Sequence, residues 1–557
     1  MLKTYPTSFL LPKRLKLAPL IGRFEPDSTS TCPAAQQQTN CLSTDTAATA
    51  TATSSFSPPH DTSQPVLLAP HSRPPQNTMA DAEPKSRRPN FTYFPLGYKE
   101  AVQQWWTSVS PRQAERKVLS FVPYLREAGT ETVASQLHEL AKSDPFGQRV
   151  WRSSMVQLSG KNRTLNELAI ERVDEQAEDT LVMLHGYGAG LGFYYKNFEP
   201  LSRPKGWRLY ALDMLGMGNS SRPPFKIQAK DPKEKITEAE NWFIDALEEW
   251  RKARNIEKFT LLGHSLGGYL AVCYALKYPG RLNKLILASP VGIPEDPWAV
   301  NADMPEPEES TLANEFVQDQ ESIVRREPAG DNAAYLQAEN KAAAAAKPNT
   351  ITTPPKRPIP NWLVWLWDAN ISPFSIVRMA GPLGPRFVSG WTTRRFNHLP
   401  PEEKDALHTY SYSLFRQKGS GEYALPYILA PGAYARNPII NRIEEVGRQV
   451  ISPATETAPA VKETGLPIVF MYGENDWMDV AGGYAAEEKV KQRIVKALME
   501  GSEEEKRNER GSAKVVVIPN AGHHLHLDNP DEFNTVIRRE MEDTRQARLR
   551  ERGNNGV

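Results

Sequence analysis

Residues 258–275 read KFTLLGHSLGGYLAVCYA. The run 259–262 is short and apolar and suits a buried strand. It enters Gly263-His264-Ser265-Leu266-Gly267 directly, and 269–276 is apolar and helix-compatible. A strand, a G-x-S-x-G turn and a helix in that order put a serine on a strained turn, its hydroxyl projecting above a sheet. Gly263 and Gly267 lack a Cβ where the strand and helix backbones nearly touch. The helix that starts after Ser265 aims its first N–H groups at a developing oxyanion. A chance glycine-rich turn would match the five residues alone. It would not carry a strand before it and a helix behind it.

Upstream, 151–158 and 165–170 read as early strands, and 180–184 as a buried strand. The last leads into His185-Gly186-Tyr187-Gly188-Ala189-Gly190. A glycine-rich loop at this point lets the backbone approach a substrate and supply an oxyanion N–H. The backbone N–H groups of Tyr187 and Leu266 are the expected pair of donors. The strand 207–212 ends in Asp213-Met214-Leu215-Gly216-Met217-Gly218-Asn219-Ser220, a D-x-x-G-x-G-x-S turn read as structural, and 238–253 is an amphipathic helix. Before these, 112–121 and 131–142 have helical spacing. Trp105-Trp106 either anchors a bilayer surface or packs on the core.

Downstream, 282–288 is the next strand, ending at Ser289-Pro290-Val291-Gly292. Acidic, Ala-rich and Pro-rich sequence follows, then the aromatic-rich stretch 358–440 with Trp362, Trp365 and Trp367. An insertion here is where a lid sits over the serine. Its aromatics suit long acyl chains or simply form the lid's own core. Arg378, Arg386, Arg394 and Arg395 are candidates to meet anionic head groups, with ordinary surface charge as the alternative.

The strand 467–472 runs into Gly473-Glu474-Asn475-Asp476-Trp477-Met478-Asp479. Asp476 has the G-x-x-D spacing expected of a triad acid, and Asp479 is the alternative. Residues 484–512 read as a charged helix and 514–518 as the last strand. His523 follows Gly522 directly and is the expected base, with His524 and His526 close by. No second ligand cluster with zinc-type spacing is visible, so no metal or cofactor is expected.

The order Ser265, Asp476 (or Asp479), His523 is that of α/β-hydrolases and of neither main serine-protease class. The fold class read here is α/β: a mostly parallel, doubly wound sheet with an inserted helical cap and a disordered N-terminal tail. Residues 1–90 are the tail, 91–292 the first part of the core and 293–445 the cap with a disordered insertion at 296–357. Residues 446–545 complete the core, and 546–557 form a second tail.

A formal net charge of +1 gives no case for nucleic acid. Three cysteines, with Cys32 and Cys41 in the tail, suit a reducing compartment rather than a disulfide scaffold. No apolar run reaches the roughly 18 residues of a spanning helix, so membrane contact is expected to be peripheral. The first residues are basic and interleaved with apolar groups, with no acid before Glu25. Followed by Ser/Thr-rich sequence, this reads as a mitochondrial transit peptide, against the alternative of a plain basic tail weakened as a helix by Pro6, Pro12 and Pro19. A second start at Met79 would remove it.

With HGYGAG at 185–190, GHSLGGYLA at 263–271, AGPLG at 380–384, YGENDWMD at 472–479 and GHHLHLD at 522–528, the chain resembles the abhydrolase-domain lipid enzymes of the four/five subfamily. The likeness spans about residues 90–545 apart from the low-complexity insertions, and its fungal members include a mitochondrial cardiolipin-specific deacylase. The resemblance implies a serine acyl-ester hydrolase of glycerophospholipids, a phospholipase acting on cardiolipin at the mitochondrial inner membrane. A cytoplasmic or lipid-droplet surface is the alternative location. It also implies an alternative, acyl transfer to lysophosphatidic acid, associated in the subfamily with the H-x-x-x-x-D pattern from His523 to Asp528. One family member without the nucleophile regulates another lipase; Ser265 is present here. Read from its own surroundings, Asp528 is expected to cap the helix that starts near Pro530.

Overall fold

Five short runs decide the centre of the molecule. β4 (Asp179–Leu184), β5 (Trp207–Leu212), β6 (Phe259–His264), β7 (Leu282–Ala288) and β10 (Pro467–Gly473) are dominated by Leu, Ile, Val and aromatic residues. Such near-continuous apolar runs suit strands covered on both faces, as parallel strands are. In the computed structural model, which describes residues 94–128, 144–295, 370–430 and 434–554, these strands lie side by side in parallel.

They form part of a nine-stranded sheet in the order β1-β2-β3-β5-β4-β6-β7-β10-β11. β1 is Arg126–Glu127, β2 Arg149–Gln157, β3 Thr164–Arg172 and β11 Ser512–Ile518. β3 alone runs against its neighbours, antiparallel to both β2 and β5. A separate antiparallel ribbon joins β8 (Val450–Ser452) to β9 (Val461–Lys462). The loops after β4, β6, β7, β10 and β11 therefore leave the same edge of the sheet. In open α/β sheets, sites form outside the carboxyl ends of the strands.

The helices start where local chemistry favours them. Pro232–Ala253 begins six residues before its apolar spacing suggests, at a proline behind Asp231, whose carboxylate accepts from the N–H groups of Lys233 and Glu234. The charged stretch expected at 484–512 is two helices, Val480–Glu500 and Glu503–Arg507, parted at Gly501. The C-terminal helix Pro530–Asn554 continues through 546–554, which composition alone reads as tail. Arg548 holds it there through Asp179, and a buried Lys284–Glu540 pair fastens it under β7.

The cap lies between β7 and β10. Its helices Pro373–Met379, Gly384–Arg395 and Pro401–Phe415 pack with two helices from before the sheet, Tyr98–Trp106 and Pro111–Leu119. Sequence places those first helices with the core, yet they serve the cap as well. The N–H of Leu96 donates to Ser389 Oγ, and His408 Nε2 meets Gln104 Oε1 at 3.0 Å. Residues 1–93, the stretch 131–142, Trp362–Trp367 and the insertion at 296–357 lie outside the described residues, as do the transit-peptide reading, Cys32 and Cys41. Among the described residues no helix is long and apolar enough to cross a membrane.

Candidate active site

Ser265 sits between β6 and the helix Leu266–Lys277 with φ 53° and ψ −118°, a conformation disfavoured for a residue with a Cβ. Neighbouring strands hold it there. Its N–H donates to the Ala288 carbonyl of β7, and its carbonyl accepts from the N–H groups of Gly268 and Tyr269. The two glycines of the turn are sterically required. A Cβ on Gly263 would collide with the Gly267 carbonyl, and one on Gly267 would lie 2.7 Å from the His185 carbonyl oxygen.

β11 delivers His523 to the same spot. Its Nε2 lies 3.1 Å from Ser265 Oγ, and its Nδ1 lies 3.3 Å from Asp476 Oδ1. Asp476 is buried and accepts N–H donors from Gly473 and Met478 as well. The loops after β10 and β11 are tied by the N–H groups of Glu474 and Asn475, which donate to Ile518 and Ala521. Of the two acids offered by sequence, Asp476 faces the imidazole. Asp479 instead caps the helix Val480–Glu500, accepting from the Ala481 N–H.

Leu266 is the first residue of its helix, so its N–H has no intrahelical acceptor. The loop bearing Tyr187 is held by His185. The His185 ring is buried, which favours its neutral form over the charged one. Its Nε2 accepts from the Met214 N–H, so its Nδ1 carries the proton and donates to the Gly186 carbonyl at 2.7 Å. That carbonyl belongs to the same planar peptide as the Tyr187 N–H. Fixing one end of the unit fixes the other.

Asp213 centres the turn after β5. Its carboxylate accepts from the N–H groups of Leu191 and Asn219 and from Asn166 Nδ2. Glu115 completes this buried cluster, accepting from Asn166, Asn219 and the Tyr410 hydroxyl. Burial first, and then the nearby Asp213 charge, push the Glu115 carboxyl up to about 8. The D-x-x-G-x-G-x-S turn is structural, as its residues suggest, but its reach to the cap was not legible.

Three further histidines pack near His523. The His264 ring is 4.9 Å from that of His523, 5.2 Å from His524 and 4.7 Å from His526. Burial, reinforced by neighbouring positive groups, holds His264 and His524 well below the usual histidine range and His526 at about 3. Among the described residues no group of His, Cys, Asp and Glu is arranged to hold a metal ion. Asp528 does not cap the final helix. Asn529 does, accepting from the Glu532 N–H, while Asp528 accepts from the Gly522 N–H.

From the cap, Phe374 stacks on Tyr187 at 5.0 Å and on Phe415 at 4.5 Å, with Trp391 edge-on to Phe415. The cap arginines are mostly committed elsewhere. Arg378 pairs with Glu422, Arg386 lies 4.3 Å over the Tyr98 ring, and Arg394 and Arg395 are buried. Trp106 is 79 % exposed, so it does not pack on the core, and Met379 on the adjoining cap is 76 % exposed.

Residues 179–530 match the family described as alpha/beta hydrolase fold. The chain belongs to this family. Among its hydrolase-fold relatives is a 1-acylglycerol-3-phosphate O-acyltransferase of Arabidopsis thaliana, 30 % identical over 76 % of this chain and 78 % of that one. The 1-acylglycerol-3-phosphate O-acyltransferase ABHD5 of Mus musculus is 28 % identical over 70 % of this chain and 84 % of its own. A (Lyso)-N-acylphosphatidylethanolamine lipase of Mus musculus is 29 % identical over 65 % and 79 %. All three of these relatives are named for reactions on lipids. Ser289, whose hydroxyl lies 2.6 Å from His523 Nδ1, is a member of the site that sequence reasoning passed over. Its signal was its place: a polar residue at the carboxyl end of a strand beside the nucleophile strand.

Proposed function

We propose that this protein is a serine acyl-ester hydrolase of glycerophospholipids, with Ser265 as nucleophile, His523 as base and Asp476 as the triad acid. The observation that carries the reading is the buried line from Ser265 Oγ through His523 to Asp476 Oδ1, at 3.1 Å and 3.3 Å. Ser265 Oγ attacks the ester carbonyl while His523 Nε2 takes its proton. Asp476 holds the Nδ1–H tautomer and stabilises the imidazolium. The N–H groups of Tyr187 and Leu266 receive the oxyanion, where losing one donor typically costs about 3 kcal/mol. His523 returns the proton to the departing lysolipid, then takes one from the water that attacks the acyl-enzyme and gives it back to Ser265 Oγ as the fatty acid leaves. The Phe374, Phe415 and Trp391 rings supply apolar area for an acyl chain. Exposed Trp106 and Met379 support contact with a membrane surface. Cardiolipin at the mitochondrial inner membrane is the proposed setting, on the family resemblance and the basic N-terminal segment.

The second reading is acyl transfer to lysophosphatidic acid, favoured by the relatives named as 1-acylglycerol-3-phosphate O-acyltransferases. In it the same acyl-enzyme is resolved by a lysophosphatidic acid hydroxyl in place of water. The test uses purified protein with vesicles containing cardiolipin, phosphatidylcholine and phosphatidic acid, and mass spectrometry of the products. Fatty acid and lysolipid should form with wild type and not with Ser265→Ala. Full release by Ser265→Ala would refute the nucleophile. Labelled acyl-CoA and lysophosphatidic acid giving labelled phosphatidic acid faster than free fatty acid would replace the first reading by the second.

A further inference from the structure

Ser289 follows Ala288 at the end of β7 and is fully buried. Its backbone φ is 45°, the left-handed region that residues with a Cβ seldom adopt. Two strands hold it there, since its N–H donates to the Met471 carbonyl of β10 at 2.7 Å. From that position its Oγ lies 2.6 Å from His523 Nδ1, nearer than Asp476 Oδ1 at 3.3 Å. The imidazole therefore meets oxygens from the ends of two adjacent parallel strands.

An imidazole that is to accept the Ser265 proton on Nε2 carries its own proton on Nδ1. That single N–H lies between Ser289 Oγ and Asp476 Oδ1. The opposite arrangement, with Ser289 donating to Nδ1, would move the proton to Nε2 and leave no lone pair facing Ser265. The Asp476 carboxylate beside Nδ1 disfavours it, because a negative charge stabilises an N–H pointed toward it. Asp476 also accepts from two backbone N–H groups, so its orientation is set by its own loop and not by the imidazole alone.

We propose that Ser289 is a positioning residue for His523, its Oγ sharing the Nδ1 proton with Asp476, and that the end of β7 is a second seat from which an acid can orient the same imidazole. This rests on the reading of Ser265 and His523 as nucleophile and base. Ser289 stabilises the imidazolium as a neutral acceptor, and Asp476 supplies the charge.

The test uses the full chain as wild type, Ser289→Ala, Asp476→Asn and the double variant Ser289→Asp/Asp476→Asn. Two quantities are read: the pH dependence of Ser265 labelling by a fluorophosphonate probe, and the His523 tautomer by nitrogen NMR of histidine-labelled protein. Ser289→Ala should slow labelling about tenfold, the size of one lost hydrogen bond, and move the acid limb to lower pH because the imidazolium loses an acceptor. The double variant, if folded by its melting curve, should recover at least about tenfold of the Asp476→Asn loss. Wild-type labelling and an unchanged pH limb in Ser289→Ala would overturn the proposal, as would a folded double variant no faster than Asp476→Asn. Should the double variant not fold, Ser289→Ala decides alone. If wild type does not label at Ser265, the hydrolase reading falls, and a His523 Nδ1 signal that changes in Ser289→Ala still upholds the contact.

Discussion

The Asp528 carboxylate accepts a hydrogen bond from the Gly522 N–H, its Oδ2 2.9 Å from the nitrogen, and so closes the short loop that carries His523. The contact is to the backbone just before the base, not to the base itself. Asp528→Ala should therefore lower hydrolysis and any acyl transfer by the same factor, about tenfold for one hydrogen bond to a charged group, and Asp528→Asn should lose less. Parallel assays of both reactions check this. Selective loss of transfer would mean that Asp528 meets the acyl acceptor.

Asp476 and Asp479 separate by experiment as they do in space. Asp476→Asn should cut turnover by about 10³–10⁴, since the imidazole loses the carboxylate that sets its tautomer. Asp479→Ala removes a helix cap and should cost about 1 kcal/mol of stability with near-normal turnover. Ester hydrolysis and denaturant melts of the two variants give the comparison.

His185 should behave as a support of the oxyanion donor. Its Nδ1–H holds the Gly186 carbonyl, whose peptide carries the Tyr187 N–H. His185→Ala should lower kcat by up to about 10² while leaving KM close to wild type, because the donor matters most when charge develops. Steady-state kinetics on a soluble ester read the split.

Glu115 links the cap to the sheet and should make stability pH-dependent. Its carboxyl ionises near 4.5 when unfolded and is pushed up to about 8 when folded. Between those values the folded chain binds the extra proton, so this contribution is full below pH 4.5 and fades as pH rises toward 8. Glu115→Gln should flatten that decline and raise the melting temperature at pH 8 relative to wild type. Thermal melts across that range give the slope.

On the proposed membrane reading, Trp106→Ala should weaken sedimentation with anionic vesicles and leave turnover of a soluble ester unchanged. Trp106 is 79 % exposed, so its loss leaves no cavity in the core.

Strands were legible because a parallel strand covered on both faces is mostly apolar. The run 282–288 matches β7 to the residue, and 467–472 differs from β10 only by Gly473. The nucleophile turn was legible for a related reason: it needs two glycines and a serine at fixed spacing. What escaped depends on side chains far apart in the chain. Ser289 earns its place only through His523, 234 residues later. Asp528 and Asn529 are neighbours with similar capping chemistry, and only the loop geometry decides which of them turns toward the helix. The choice between Asp476 and Asp479 had the same character.

The three imidazoles around His523 share one condition: burial and mutual repulsion keep them uncharged near neutrality. On the proposed mechanism, these three rings therefore offer His523 no proton reservoir. A proton that leaves Ser265 can reside on His523, pass to the departing alcohol or go back, and no adjacent ring will store it between turnovers. Proton movement and acyl movement are thereby kept in step, one for one.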